Sequence, residues 1–149
     1  MPQLSLHSPV GDLTLSEEAG AIVAIDWGWA RDQAETELLR RGKDQLERYF
    51  DGDGRPFELP LAPAGTPFQQ AVWRAMSEIP AGQTRSYGEL AAAVGSAARA
   101  VGGACGANPI PIIVPCHRVL AAGGALGGYS GEGGRDTKVA LLRLEGAIL

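Results

Sequence analysis

Two helix-capping boxes near the middle of the chain constrain its fold more than any other pattern. They read Thr66-Pro67-Phe68-Gln69 and Ser86-Tyr87-Gly88-Glu89. In such a box a hydroxyl side chain and a Gln or Glu three residues later satisfy free backbone N–H groups at a helix start. Proline also suits the first helical position. The two boxes predict a helix that begins after Thr66 and a shorter one that begins after Ser86.

The residues after the second box predict a helix-turn-helix. The short helix extends to Val94, Gly95 closes it, and Ser96 is expected to cap a helix that begins at Ala97. Two short helices joined at such a corner are typical of this DNA-binding motif. Around Arg99 the second helix consists mostly of Ala and Gly. A helix face without long side chains allows close approach to another surface, including a DNA groove.

The first third of the chain predicts a small β-meander followed by a helix. Apolar residues alternate over 4–6 and 13–15, and a further apolar run covers 21–27. Helical spacing of Leu, Tyr and Phe predicts a helix over residues 35–50. A Pro- and Gly-rich linker follows over 59–65. We therefore expect two domains, 1–63 and 64–149.

The predicted fold class is α/β (α+β), with a mainly helical second domain that ends in a helix over residues 137–144. This last helix is expected to bury Val139, Leu141 and Leu142. Residues 1–65 carry a net charge of −6 and residues 66–149 a net charge of +2. Such asymmetry permits binding of a polyanion to the second domain without establishing it.

Several features of the sequence bear on location and cofactors. No run approaches the ~18 apolar residues of a membrane span, and the first residues lack the pattern of a signal peptide. The two cysteines, Cys105 and Cys116, form no CxxC pair and no set of metal ligands. We expect a reduced, cytoplasmic protein with no membrane association, no metal and no cofactor.

The segment Pro115-Cys116-His117-Arg118 is the strongest candidate for chemistry. A free thiol is most often a buried structural residue, but a neighbouring base or positive charge favours a reactive thiolate. His117 could accept the thiol proton through one water. Glu145 could orient His117 if the last helix packs against this segment.

Other residues have both an ordinary and a functional interpretation. Arg118 fits a structural ion pair, and Cys105 fits a small core residue. Tyr87 is either a packing residue or a phenol that donates a proton. Arg99 is either a surface charge or a cation that enters the DNA duplex from a face without long side chains.

Together these motifs resemble the O6-alkylguanine-DNA alkyltransferases, also called methylated-DNA–protein-cysteine methyltransferases. The resemblance runs from Thr66 to Gly146 and is most specific in Asn108-Pro109-Ile110-Pro111 followed by the Pro-Cys-His-Arg segment. Residues 97–103 and 128–131 are nearly as specific. The N-terminal meander and helix resemble the family's smaller ribonuclease-H-like domain.

The resemblance implies a catalytic role for four residues. Cys116, deprotonated through water by His117 with Glu145 behind it, would attack the alkyl carbon on O6 of guanine. Tyr87 would donate to a ring nitrogen so that the base leaves neutral. The thioether product would be permanent, so each molecule would act once.

The resemblance also implies how DNA is held. The helix-turn-helix would enter the minor groove, and Arg99 would fill the stack as the damaged base rotates out. The remaining positions implied to shape the site or contact the base are Asn108, Val119, Tyr129 and Ser130. The implied partner is double-stranded DNA carrying O6-alkylguanine, with O4-methylthymine as a further substrate, and the protein is expected to be a monomer.

Three alternatives are weighed against this interpretation. A protein that recognises alkylated DNA without repairing it would need another residue at position 116. A helix-turn-helix regulator would use the DNA-binding half alone. A cysteine hydrolase would need an oxyanion hole and would release many products per chain.

Overall fold

The computed structural model describes residues 1–129 and 131–148. The chain forms two compact units, Met1–Ala64 and Gly65–Leu149. The first holds a small antiparallel sheet with one helix, and the second is mainly helical. The expected mixed α/β fold class is therefore confirmed.

The first unit is a three-stranded meander covered by one helix. Its elements are β1 (Gln3–Leu6), β2 (Leu13–Glu18), β3 (Ala21–Trp27) and α1 (Glu37–Phe50), with strand order β1-β2-β3. The helix begins two residues later than the sequence predicts because Thr36 caps it, with its Oγ1 accepting from the backbone N–H of Leu39 at 3.1 Å.

Part of the predicted linker belongs to the sheet. The N–H of Ile22 donates to the carbonyl of Pro60 at 2.8 Å, and the N–H of Ala62 donates to the carbonyl of Ile22 at 2.9 Å. Leu61 therefore lies parallel to Ile22 in an isolated bridge. These bonds tie the end of the first unit to the edge of β3 that does not pair with β2.

Over residues 65–129 and 131–148, the second unit contains four α-helices and two short 3₁₀ turns. Its helices are α2 (Pro67–Ser77), α3 (Tyr87–Val94), α4 (Ala98–Gly106) and α5 (Arg135–Leu144). Both capping boxes are present, with each reciprocal hydrogen bond formed. The helices α2, α3 and α4 pack against one another around a buried apolar centre.

The corner between α3 and α4 differs from the prediction in one detail. Gly95 ends α3 with a left-handed backbone (φ 68°), as a glycine at this position allows. Ser96 does not cap α4, so that expectation was wrong. The N-cap is Ala97, which supplies no side-chain hydrogen bond, and α4 begins at Ala98.

A short parallel pairing brings two distant segments together at the site. Strand β4 (Arg85–Ser86) pairs with β5 (Val119–Leu120), which directly follows a 3₁₀ turn over Cys116–Arg118. A second 3₁₀ turn covers Ala122–Gly124. Because Tyr87 follows β4 at once, this pairing places the start of α3 next to the Cys116 turn.

The last helix also departs from its prediction. It starts at Arg135, two residues early, and buries Lys138 completely while Val139 is only half-buried. Leu141 and Leu142 are buried as expected. Over residues 1–129 and 131–148, no helix has the length and apolar character needed to cross a membrane.

Candidate active site

A cavity of about 640 Å³ lies between the start of α3, one face of α4 and the Cys116 turn. The loop before α5 forms its remaining wall. The residues that line it are Tyr87, Ala98, Arg99, Gly102, Cys105, Gly106, Cys116, Gly128 and Tyr129. A cavity of this size falls within the range of small-molecule sites.

Cys116 lies at the wall of this cavity with only 6% of its surface exposed. Burial raises the pKa of its thiol, while a hydrogen bond from Asn108 and the charge of Lys138 act in the opposite direction. At neutral pH the resting residue is therefore a thiol. A reaction that needs the thiolate must remove this proton during or before attack.

His117 and Glu145 form a buried hydrogen-bonded pair directly behind Cys116. The Nε2 of His117 lies 2.6 Å from Oε2 of Glu145, and their side chains are 0% and 1% exposed. Helix α5 thus packs against the Cys116 turn, the condition that sequence alone left open. Burial lowers the pKa of His117 more than Glu145 raises it, which keeps the imidazole neutral.

Arg118 completes this arrangement as a buried ion-pair partner. Its Nε and Nη2 donate to the two carboxylate oxygens of Glu145 at 2.9 Å each, and its Nη1 donates to the carbonyl of Ile79 at 2.6 Å. The guanidinium therefore fixes the carboxylate in one orientation. Because Glu145 accepts from Arg118, Nε2 of His117 must be the donor to it.

The neutral imidazole is left with a free lone pair on Nδ1. This atom is buried and has no hydrogen-bond partner among the described protein atoms. A carboxylate that accepts from one imidazole nitrogen fixes the tautomer and makes the other nitrogen a base. His117 Nδ1 can thus accept a proton from a donor that reaches it through water.

Loss of the Glu145 charge is expected to destabilise the second unit strongly. In Glu145→Gln the buried Arg118 guanidinium and the His117 N–H lose their anionic acceptor, which costs about 3–5 kcal/mol in comparable buried pairs. Denaturant unfolding measures the change, with the exposed Glu132→Gln as control. The control is expected to stay within about 0.5 kcal/mol of the parent chain. An equally small change in Glu145→Gln would contradict the proposed burial of the pair.

Asn108 braces the turn that leads to Cys116. Its Nδ2 donates to the carbonyl of Val114 at 2.8 Å, and its Oδ1 accepts from the N–H of Ile110 at 2.9 Å. Within this turn Ile112 has a φ of 74°, a conformation that β-branched residues rarely adopt. The amide side chain holds both sides of the turn and so stabilises this unfavourable backbone.

Tyr87 lines the cavity from the first residue of α3 and is half-buried. Burial raises the pKa of its phenol, and the nearby Cys105 and Cys116 raise it further. A Cβ added at Gly127 would lie 3.2 Å from Cε2 and 3.3 Å from the hydroxyl of Tyr87, and Gly127 also has a φ of 66°. Glycine at this position therefore lets the loop pack closely against the phenol.

The outer face of α4 presents one long side chain. Arg99 is exposed at the mouth of the cavity, on the first turn of the helix. A Cβ added at Gly102 or Gly103 would meet no atom within 4 Å. Packing within the described chain therefore does not explain these two helix glycines, each of which costs about 1 kcal/mol relative to alanine.

The sequence matches two family descriptions that together span nearly the whole chain. Residues 4–63 match "6-O-methylguanine DNA methyltransferase, ribonuclease-like domain", and residues 67–147 match "6-O-methylguanine DNA methyltransferase, DNA binding domain". The chain belongs to the 6-O-methylguanine DNA methyltransferase family. The expected resemblance is therefore confirmed.

Curated relatives of this methyltransferase family match over nearly their full length. A constitutive methylated-DNA–protein-cysteine methyltransferase of Bacillus subtilis is 44% identical, with 93% of this chain and 92% of the relative covered. A methylated-DNA–protein-cysteine methyltransferase of Methanosarcina acetivorans is 43% identical, with 95% and 96% covered.

Solved structures of the methyltransferase family have the same fold. The crystal structure of Mycobacterium tuberculosis OGT in complex with DNA superposes with a TM-score of 0.88 at 43% identity and covers 99% of this chain and 94% of that one. A structure of O6-methylguanine methyltransferase from the same organism gives a TM-score of 0.86 at 42% identity, with 98% and 93% covered.

Most sequence-predicted site residues of this methyltransferase lie together. Tyr87, Arg99, Cys116 and Tyr129 line the cavity, while His117, Glu145 and Asn108 support the Cys116 turn. Val119 is buried and does not line the cavity, although its carbonyl accepts a hydrogen bond from Lys138. Tyr129 is half-buried, and burial raises the pKa of its phenol. Ser130 lies outside the described residues.

Sequence reasoning missed Lys138 and the close packing of Gly127. The position of Lys138 three residues before Leu141 was the available signal for burial, because both fall on one helix face.

The described residues contain no group of three His, Cys, Asp or Glu side chains that could hold a metal ion.

Proposed function

We propose that this chain removes the alkyl group from O6-alkylguanine in double-stranded DNA by transferring it to Cys116. The observation that carries the proposal is the placement of the Cys116 thiol at a cavity large enough for a nucleobase, directly beside a buried His117–Glu145 pair. The same displacement chemistry extends to O4-methylthymine.

Direct reversal of DNA alkylation follows from the family. The chain is a DNA-repair methyltransferase that uses its own cysteine as acceptor, and DNA is its partner, since its relatives carry this activity in their names and one related structure holds DNA. A DNA-binding protein or a regulator without transfer activity is not favoured, because the relatives match along both units.

Attack begins with loss of the Cys116 proton. The proton passes through a water to Nδ1 of His117, and Glu145, which Arg118 holds in place, stabilises the imidazolium that forms. The sulfur then displaces the alkyl carbon from O6. The S–C bond forms as the C–O6 bond breaks, and the bonding pair of the C–O6 bond moves to the guanine.

Tyr87 neutralises the negative charge that develops on the guanine when the C–O6 bond breaks. Its phenol donates a proton to a guanine ring nitrogen, so that the base leaves as a neutral guanine. Its high pKa keeps the proton on the phenol until the base becomes basic enough to take it. The resulting thioether contains no bond that the nearby residues can cleave, so each molecule acts once.

The exposed face of α4 is proposed to contact the minor groove. Arg99 fills the space in the duplex that the extruded base leaves, which offsets part of the few kcal/mol that extrusion costs. Gly102 and Gly103 keep the helix backbone close to the DNA. We assign residues 1–63 to the ribonuclease-like domain and residues 64–149 to the DNA-binding and acceptor domain, in a monomeric, cytoplasmic protein.

The proposal is tested by intact-protein mass after incubation with a duplex that contains one O6-methylguanine. We expect a shift of one methyl group that saturates at one per chain, with peptide mapping placing it on Cys116. Binding of the damaged duplex without any mass shift would contradict the assigned mechanism.

The variant Gly103→Ala distinguishes the contact of α4 with DNA from the contribution of Gly103 to protein stability. Alanine in a helix is expected to raise the free energy of unfolding by about 0.5–1 kcal/mol, because no atom obstructs the new Cβ. Transfer from duplex DNA is expected to slow, since the added methyl group separates the helix from the groove. Transfer from free O6-benzylguanine serves as control and should not change. Equal rates of transfer from duplex DNA in Gly103→Ala and in the parent chain would contradict close contact of Gly103 with the groove.

A further inference from the structure

The turn after α2, residues 79–83, contacts the buried ion pair of the active site but has no part in the transfer steps proposed for this chain. Ile79 is buried, and its carbonyl accepts from Nη1 of Arg118 at 2.6 Å. The Nε and Nη2 of the same guanidinium donate to the carboxylate of Glu145 at 2.9 Å each. Because it is bound on two sides, the planar guanidinium cannot rotate without breaking a hydrogen bond. The 79–83 turn therefore helps to hold the carboxylate of Glu145.

The other end of the 79–83 turn lies against the main chain of Glu145. The N–H of Gln83 donates to the carbonyl of Pro80 at 3.1 Å, and Gly82 has a φ of 89°. A turn closed in this way, with a positive φ at its third residue, is of type II. A Cβ added at Gly82 would lie only 3.2 Å from the backbone oxygen of Glu145. The absence of a side chain thus allows the close approach of the two segments.

The orientation of the Glu145 carboxylate decides how well His117 can accept a proton. Burial lowers the pKa of His117 most, Glu145 raises it, and the charges of Arg118 and Lys138 lower it further. Among the described residues, these are the charged groups that act on the imidazole, from its own turn and from α5 and its end. A carboxylate displaced from its 2.6 Å contact with Nε2 would support the imidazolium less, and the opposing effects would remain.

We propose that Gly82 is a positioning residue for alkyl transfer, which lets the 79–83 turn pack against Glu145 and hold its carboxylate in the orientation that makes His117 an effective base. This inference rests on the proposed function, in which His117 accepts the proton of Cys116. A type II turn accepts asparagine as well as glycine at its third residue, so the backbone conformation alone does not require glycine.

Two substitutions separate the contact with Glu145 from backbone strain. Gly82→Ala and Gly82→Asn both add the Cβ, but asparagine tolerates a left-handed backbone far better than alanine. The rate of benzyl transfer from free O6-benzylguanine to Cys116 is measured from neutral to alkaline pH. We expect both variants to be slower by about tenfold at neutral pH, a part of the roughly 10²–10⁴-fold that a positioned base contributes. The loss should diminish at high pH, where Cys116 ionises without help from His117.

Gly52→Ala is the control for backbone strain. Gly52 has a φ of 94°, and a Cβ added there would meet no atom within 4 Å. It follows α1 in the first unit, so this variant should keep the pH profile of the parent chain. The NMR resonance of the proton between Nε2 of His117 and Glu145 gives a second measurement. We expect it to move upfield in both Gly82 variants, as the hydrogen bond lengthens, and to stay unchanged in Gly52→Ala.

Parent rates in Gly82→Asn across the pH range would overturn the proposal, because the added Cβ would then be tolerated beside Glu145. A loss of equal size at every pH, or an unchanged proton resonance in the slower variants, would also overturn it. Failure of both Gly82 variants to fold would do the same, since it would assign Gly82 to the fold and not to the orientation of the carboxylate. Absence of benzyl on Cys116 of the parent chain would instead overturn the proposed function.

Discussion

Cys116→Ala is expected to abolish alkyl transfer and leave binding of damaged duplex DNA nearly unchanged. The sulfur is the group that forms the new bond, and no neighbouring oxygen or nitrogen matches it as a soft nucleophile. Cys116 is buried in a turn, and alanine removes only one atom from it. The fold and the exposed face of α4 should therefore survive. Intact-protein mass after incubation with an O6-methylguanine duplex, together with a DNA-binding isotherm, measures both effects.

Cys105→Ala is the matched control for this variant. Cys105 lines the same cavity, but burial raises the pKa of its thiol to about 12, and its Sγ lies 3.4 Å from Sδ of Met76. We expect this variant to accept one alkyl group per chain, as the parent chain does. Appearance of an alkyl group on the Cys116→Ala variant would move the nucleophile elsewhere, with Cys105 as the first position to map.

Local patterns in the sequence predicted the elements that local interactions determine. Both capping boxes are reciprocal contacts between residues three positions apart, so Thr66 and Ser86 could be identified without any knowledge of tertiary structure. The α3–α4 corner followed from Gly95 for the same reason. The expected cap at Ser96 failed because Ala97, which has no side chain able to cap, took the N-cap position.

Contacts between distant segments could not be predicted in this way. Glu145 was a conditional candidate, since its role depended on whether α5 packs against the Cys116 turn. The two-residue pairing of β4 with β5 has no periodic signal in the sequence. The left-handed backbone of Ile112 is equally hidden, because β-branched residues rarely adopt it and the bracing by Asn108 that supports it is a tertiary contact.

Lys138 shows why charge patterning alone misplaces some residues. A lysine in an amphipathic helix is typically exposed, and our sequence-based prediction names Val139, not Lys138, among the buried residues of the last helix. In the structure Lys138 is buried and Val139 is half-buried. Lys138 can be buried because the carbonyls of Val119 and Gly128 accept hydrogen bonds from its ammonium. Residues that break the expected pattern in this way concentrate at functional sites.

Arg99→Ala is expected to slow repair of duplex DNA far more than transfer from free O6-benzylguanine. The free base enters the cavity without leaving a duplex, so it needs no side chain to replace it in the stack. Arg99 lies at the cavity mouth with its side chain exposed, and no hydrogen bond or ion pair to another described residue holds it there. Its loss should therefore leave the fold and the Cys116 turn unchanged.

Arg74→Ala provides the control for charge, because Arg74 is an exposed cation on α2 of the same unit and does not line the cavity. Removal of either arginine deletes one positive charge, and any general weakening of DNA attraction appears in both variants and diminishes with added salt. A role in base extrusion predicts an additional loss in Arg99→Ala that persists at high salt and grows when the damaged base is paired more stably. If the two variants lose duplex repair equally, Arg99 contributes charge alone and the base leaves the stack without its help.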